Sequence, residues 1–176
     1  SITERSLLVT DLLKHKIESA IGECEAHIIR IEGAAQRLEA VFPLQAETLT
    51  ALSDDNVALL DQFIYRFTKL QDAIGSRLFP AMAVLIIGND EPRPFLDTLN
   101  QLEKTGALES LETWQTLRVL RNSLAHEYPD SVVQCAETLN ILFADWRQLR
   151  GVFSTAHDYY LKRLLPLLQP TTASGD

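Results

Sequence analysis

Ser53-Asp54-Asp55-Asn56-Val57-Ala58-Leu59-Leu60-Asp61-Gln62-Phe63-Ile64-Tyr65-Arg66-Phe67-Thr68-Lys69-Leu70-Gln71-Asp72-Ala73-Ile74-Gly75 is the stretch that decides the fold class. Leu59, Leu60, Phe63, Ile64, Phe67, Leu70 and Ile74 recur three and four residues apart, which gathers them on one side of an α-helix. Ser53 offers a hydroxyl cap, and Asp54 and Asp55 place carboxylates beside the positive end of the helix dipole. Period-two alternation, the mark of a half-buried strand, is missing here and throughout the chain.

The same spacing extends in both directions. Upstream, residues 3–42 form one helical run with Leu8, Leu12, Leu13, Ile17, Ile21, Ile28, Ile31, Ala35, Leu38 and Val41 in or near its stripe, and Pro43 stops it. A straight helix of ~40 residues would be about 60 Å long, far beyond the radius of gyration near 16 Å expected of a compact chain this size. The sequence therefore predicts a bend near Gly22 or Gly33, or a protrusion that packs on a partner. Residues 45–52 read as a short helix. Downstream, Pro80 is expected to kink the second long helix or begin a new piece ending at Ile87, and residues 88–94 form the clearest loop. A short helix at about 95–104 closes at Gly106, and Ser110 caps another at 111–125. The last run starts near Asp130 and continues to about Leu165, with Gly151 a candidate break and Pro166 a stop or kink. These elements predict an all-α, antiparallel helical bundle of four principal helices plus short ones, in a single domain over residues 1–169 with a disordered tail at 170–176.

Composition agrees with a packed domain: of 176 residues, 46% are hydrophobic and 23% charged. The longest apolar stretch, residues 81–87, is short of the roughly 18 residues of a membrane span. The first residues lack the order of a secretory signal, so a cytoplasmic protein with no membrane partner is expected. Cys24 and Cys135 then read as small buried hydrophobes rather than a bridge. The formal charge of −8, from 24 acids against 16 Lys and Arg, argues against a broad basic surface that grips nucleic acid by counterion release, though not against a local basic site. The acid is concentrated early, with ten acids and five bases in residues 1–60.

The chemistry gathers at Arg121-Asn122-Ser123-Leu124-Ala125-His126-Glu127-Tyr128. On a helical wheel counted from Leu111, Leu120, Leu124, Leu117 and Trp114 fall at about 180°, 220°, 240° and 300°, and Arg121 at about 280° within the same stripe. A permanently charged guanidinium in an apolar stripe requires a carboxylate, a partner subunit or an anionic ligand. Pro129 pushes Tyr128 out of the helical region, so His126 lies at the helix C-terminus, where exposed carbonyls favour the imidazolium.

This segment resembles the HEPN superfamily, and the Arg-x4-His-x-Tyr form, here Arg121, His126 and Tyr128, is similar to that of the HepT-type toxins that pair with minimal nucleotidyltransferase antitoxins. At this composition an Arg-x4-His pair arises by chance roughly 0.25 times per chain, and a trailing Tyr lowers that to roughly 0.006. The resemblance implies a homodimer in which motif helices from two chains form a metal-independent RNase site, with no cofactor. His126 would move a proton to or from the RNA 2′-hydroxyl or the leaving oxygen. Arg121 would hold the scissile phosphate through a bidentate contact, and Asn122 would orient the ring or bind phosphate. Tyr128, by its position, would accept AMP from the nucleotidyltransferase, silencing the nuclease. In an ideal helix Arg121 and His126 point about 140° apart, so they converge only if the helix end unwinds or a second subunit completes the site.

Plainer roles compete at each position: an ion pair across the bundle for Arg121, an ordinary helix end for His126, a solvated residue for Asn122, and a turn anchor for Tyr128. Weaker signals lie elsewhere. Glu23, Cys24 and His27 share a helix face, but no matching ligand set from other helices completes a metal site. Arg66, Lys69 and Asp72 read as a solvated polar face sooner than as a lining for RNA, and Arg147, Arg150, Lys162 and Arg163 make the last run mildly basic. A catalytically inactive HEPN module that binds a nucleotidyltransferase or nucleotide is the alternative function.

Overall fold

The computed structural model describes residues 2–125 and 131–169; His126, Tyr128 and the 170–176 segment expected to be a tail lie outside the described residues. The chain is an all-α helical bundle, without a strand among the described residues. Its elements are α1 (Ile2–Leu38), α2 (Ala46–Thr50), α3 (Asp54–Ala73), α4 (Phe79–Ile87), α5 (Phe95–Thr105), α6 (Leu111–Ala125), α7 (Val132–Tyr159) and α8 (Leu165–Leu168). Two π turns, Ile74–Leu78 and Tyr160–Leu164, join α3 to α4 and α7 to α8. The result is four long helical runs, as the periodicity predicts.

α1 is one unbroken helix of 37 residues, about 55 Å long at 1.5 Å per residue. Neither Gly22 nor Gly33 interrupts it, and a Cβ added to either would meet nothing within 4 Å. Its first four turns are the least covered part of the helix. The first buried side chain is Ile17, while Ile2, Leu7, Leu8, Val9 and Leu12 are exposed. From Ile17 onward α1 lies along α3, burying Ala20, Ile21, Cys24, Ile31, Ala34, Ala35 and Leu38.

Pro80 and Pro166 do not stop their helices, and the reason is the same in both places. A proline inside an α-helix has no N–H to donate and its ring collides with the carbonyl four residues back. Here the turn ahead of each proline is widened: the Phe79 N–H donates to the Ile74 carbonyl and the Leu165 N–H to the Tyr160 carbonyl, both i to i−5. Gly151, likewise expected as a break, sits within α7 without interrupting it. Ser53 accepts from the Asn56 N–H at 3.2 Å and caps α3 as expected, and Ser131 caps α7 from the Gln134 N–H at 3.4 Å.

The core runs between α1, α3, α4 and α7. Phe63 lies edge-on to Trp146 (6.4 Å, 88°), and Phe42 stacks on Phe143 with centroids 4.0 Å apart. The continuous Asp54–Ile87 helix is long and apolar enough to cross a membrane by length and composition alone, a property that the count of uninterrupted apolar residues missed. Half of that window is buried within the molecule, with Phe63, Phe67, Leu70, Ile74, Leu78, Phe79 and Met82 all in the core.

The connection from α1 to α3 is held by a side-chain clamp. Asn140 on α7 accepts the Leu44 N–H at 2.7 Å and donates to the Leu44 carbonyl at 2.9 Å, satisfying both backbone groups of a buried residue. Asn140→Ala leaves both without their partner. It should lower the unfolding free energy by about 1–3 kcal/mol, seen as a lower urea midpoint at unchanged slope; an unaltered midpoint would show the clamp to be dispensable.

Candidate functional site

The site is assembled where α6 packs on α3 and the π turn. Ser110 Oγ accepts the Thr113 N–H at 3.1 Å and Glu103 Oε2 accepts the Leu111 N–H at 2.6 Å, so the start of α6 is fixed both by its predicted cap and by α5. Trp114 and Leu117 anchor the helix in the core at 2% and 1% exposure. Trp114 approaches so closely that a Cβ on Gly75 would lie 2.9 Å from its Cζ2. Only a residue without a side chain fits this position.

Arg121, one turn beyond Leu117, is 31% exposed and turns its guanidinium to α3. Its NH2 donates to Asp72 at 3.0 Å (Oδ1) and 3.4 Å (Oδ2), and its NH1 donates to Asn122 Oδ1 at 3.3 Å. Of the partners that a charge in an apolar stripe requires, the fold supplies a carboxylate. Asp72, which the sequence reading left on a solvated face, is that partner. Both side chains are partly exposed to water, which screens the pair and keeps its contribution to stability at about 1 kcal/mol. Arg121 and Asn122 are thus brought together; the expected catalytic partner His126 and the expected AMP acceptor Tyr128 lie outside the described residues.

Beside Arg121 opens a cleft of about 230 Å³. Gln71, Asp72, Gly75 and Ser76 line one wall, Trp114, Arg118 and Arg121 the other, with Phe95 of α5 at the side. Arg118, exposed, holds its guanidinium 5.7 Å from the centre of the Phe95 ring and has no acidic partner among the described residues. Gln71 is only 4% exposed, yet neither amide atom has a hydrogen-bond partner among the described residues; the same is true of Trp114 Nε1 and Arg121 Nε. A buried polar group left unpaired costs roughly 1–3 kcal/mol, so this clustering is chemically significant.

Sequence reasoning passed over Gln71. The signal was present, because Gln71 follows Phe63 and Phe67 at successive four-residue steps and so sits in the apolar stripe of α3. It is the amide counterpart of the misplaced charge at Arg121.

The Glu23, Cys24 and His27 face does not form a metal site. Arg66 NH1 lies 3.1 Å from His27 Nδ1, and since a guanidinium only donates, that nitrogen is an acceptor and its lone pair is occupied. The remaining ring N–H points to Glu23 at 3.4 Å, and Glu23 also pairs with Arg77. Among the described residues no group of three His, Cys, Asp or Glu is placed to hold a metal ion. Arg150 of the basic last run is likewise engaged, with Glu32 at 2.6 Å.

Cys24 is fully buried, and burial, followed by the Glu23 charge, pushes its thiol up to about 12 from the ordinary 9.0. Burial and a 3.0 Å hydrogen bond to Glu18 raise Tyr160 in the same direction. Between about pH 9 and 12 the unfolded Cys24 thiol releases its proton while the native one keeps it. Stability conferred by the neutral thiol is therefore present below pH 9 and lost as pH rises. Alkaline unfolding titrations should show Cys24→Ala less sensitive than wild type over this range, and identical pH profiles would contradict the assignment.

No protein-family model matches this chain, and no curated protein or solved structure matches it either.

Proposed function

We propose that the chain is a HEPN-type, metal-independent endoribonuclease toxin acting as a homodimer. Arg121 is the observation that carries this reading. Arg121 lines an open cleft, its side chain 31% exposed, and is held by a carboxylate whose grip is worth little because the pair is partly screened by water. A phosphodiester offers the same two-oxygen geometry as Asp72 and can take over the guanidinium fork.

In this reading Arg121 binds the scissile phosphate and stabilises the charge that develops on it. His126 moves a proton between the RNA 2′-hydroxyl or leaving oxygen and the solvent. Asn122, hydrogen-bonded to the guanidinium, positions it. Tyr128 accepts AMP from a minimal nucleotidyltransferase antitoxin, and the bulky anion competes for Arg121 and blocks the cleft. Val119 on α6 and Val132 and Val133 at the start of α7 flank the motif segment in sequence and are each exposed, which leaves apolar side chains for a second copy to cover. The Asp72 ion pair supports a second reading, in which Arg121 is structural and the chain is an inactive HEPN module that binds a nucleotidyltransferase or nucleotide.

Induced expression of the wild-type chain should arrest growth and degrade RNA, and Arg121→Ala and His126→Ala should each abolish both effects while remaining folded. Co-expression with a minimal nucleotidyltransferase should add the mass of AMP, absent in Tyr128→Phe. An inert wild type would reject the nuclease and leave the binding module.

A further inference from the structure

Lys69 and Tyr65 stand three and seven residues before Asp72, on the same outer face of α3, and both are exposed. Spacing alone leaves them on a solvated polar face. The fold changes their setting, because Asp72 of that face meets Arg121 of α6 at 3.0 Å, which makes the face continuous with the candidate site. The direction of α6 adds to this. Trp114 packs on Gly75 and Arg121, two turns further along α6, meets Asp72, so successive turns of α6 run toward the Lys69 and Tyr65 end of α3.

Tyr65 contributes little to the core: Phe63, Phe67, Phe79, Trp114 and Trp146 are buried, whereas its ring is 55% exposed. Two cations flank that ring, Arg66 and Lys69, each 5.6 Å from its centroid. They are not equivalent. Arg66 is half-buried and held by His27 at 3.1 Å, while Lys69 is exposed with no acidic partner among the described residues, so its ammonium is free to leave the ring for a phosphate. An exposed aromatic ring beside unpaired cations is the arrangement that holds single-stranded nucleic acid, with a base stacked on the ring and the backbone on the cations. Tyr65 is within reach of the site, since seven residues of helix span about 10 Å. Charge agrees: Lys69, Arg118 and Arg121 stand here against Asp72, and exposed Asp61, one turn beyond Tyr65, closes the strip.

We infer that this face of α3 is a base-stacking platform for a single strand whose phosphate Arg121 holds. Tyr65 stacks one neighbouring base, Lys69 binds the backbone between that base and Arg121, and Arg118 holds the phosphate on the other side. The ligand is single-stranded because a base within a duplex has no free face to offer. The biological substrate rests on the ribonuclease reading; the contacts themselves belong to exposed groups that any unpaired strand can reach.

The test measures fluorescence anisotropy of a short labelled strand of 2′-O-methyl RNA, whose blocked 2′-oxygen prevents cleavage, with the full chain. An abasic strand of the same charge and the same strand annealed to its complement are the controls. Tyr65→Ala should weaken binding of the base-bearing strand about tenfold and leave the abasic strand unaffected, while Tyr65→Phe, which keeps the ring, should bind as wild type does. Lys69→Ala and Arg118→Ala should weaken both single strands, each lowering the slope of log affinity against log salt by about 0.7. Thermal melting establishes that these surface variants are folded. Affinity indifferent to Tyr65, a phenylalanine variant as weak as the alanine one, equal binding of abasic and base-bearing strands, preference for the duplex, or no binding at all would overturn the platform. The expression assay separates this from the nuclease: an active toxin whose RNA affinity ignores Tyr65 rejects only the platform, and Tyr65-dependent binding by an inert chain rejects only the nuclease.

Discussion

Two polar side chains sit inside the apolar stripes of helices that face each other, and the architecture of the site follows from how each is answered. Arg121 continues the stripe begun by Trp114 and Leu117 on α6; Gln71 continues that of Phe63 and Phe67 on α3. A charge cannot enter such a stripe unpaired, and Asp72, next to Gln71 in sequence, turns to meet Arg121 across the junction. Both amide atoms of Gln71, beside this pair in sequence, are buried and have no hydrogen-bond partner among the described residues. The two helices therefore meet around a polar-lined opening where continuous apolar packing would have closed the gap.

The shape of that opening depends on a proline some distance away. Pro80 would collide with the carbonyl four residues back in an ideal helix, and the widened turn Ile74–Leu78 removes the collision by shifting the hydrogen bond to Ile74. Gly75 and Ser76, which line the cleft, belong to that turn. Gly75 then admits the Trp114 ring to a distance that any Cβ would forbid. A backbone adjustment required by ring chemistry at one position thus shapes the wall of a cavity at another. The same adjustment recurs at Tyr160–Leu164 ahead of Pro166, away from the cleft, so it is a general answer to proline in these helices.

How far the sequence could be read depended on the range of the physics involved. Helix identity, the caps at Ser53 and Ser110, and the stripe through Trp114 and Leu117 all follow from spacing within a few turns, and the structure has them. Arg121 was legible as a charge needing a partner, because its angle on the wheel depends only on its own helix. Its partner was not legible: Asp72 is 49 residues away, and which acid meets it is decided by how α3 and α6 cross. Proline was legible as a place where a new piece begins, at Phe79–Ile87 and Leu165–Leu168, but the local rule says nothing of the widened turn that precedes each. Glycine was read too strongly. Gly22 and Gly33 lower the local preference for helix, but the long packing of α1 on α3 outweighs that. Gln71 was overlooked because a neutral amide in a stripe raises less alarm than a charge, although it is the more completely buried of the two.

The overall charge of −8 is no obstacle to an anion at this site. At physiological salt, exposed charges are largely screened beyond about 8 Å, so a bound anion feels the immediate rim, where two guanidinia face one carboxylate. Other arginines are already engaged: Arg77 with Glu23, Arg150 with Glu32, and Arg66 with His27. In a chain of net charge −8, such an opening suits a ligand that inserts a single anionic group over one that lies along the surface. A duplex, with a charge every 1.7 Å of axis, would meet repulsion along most of its length.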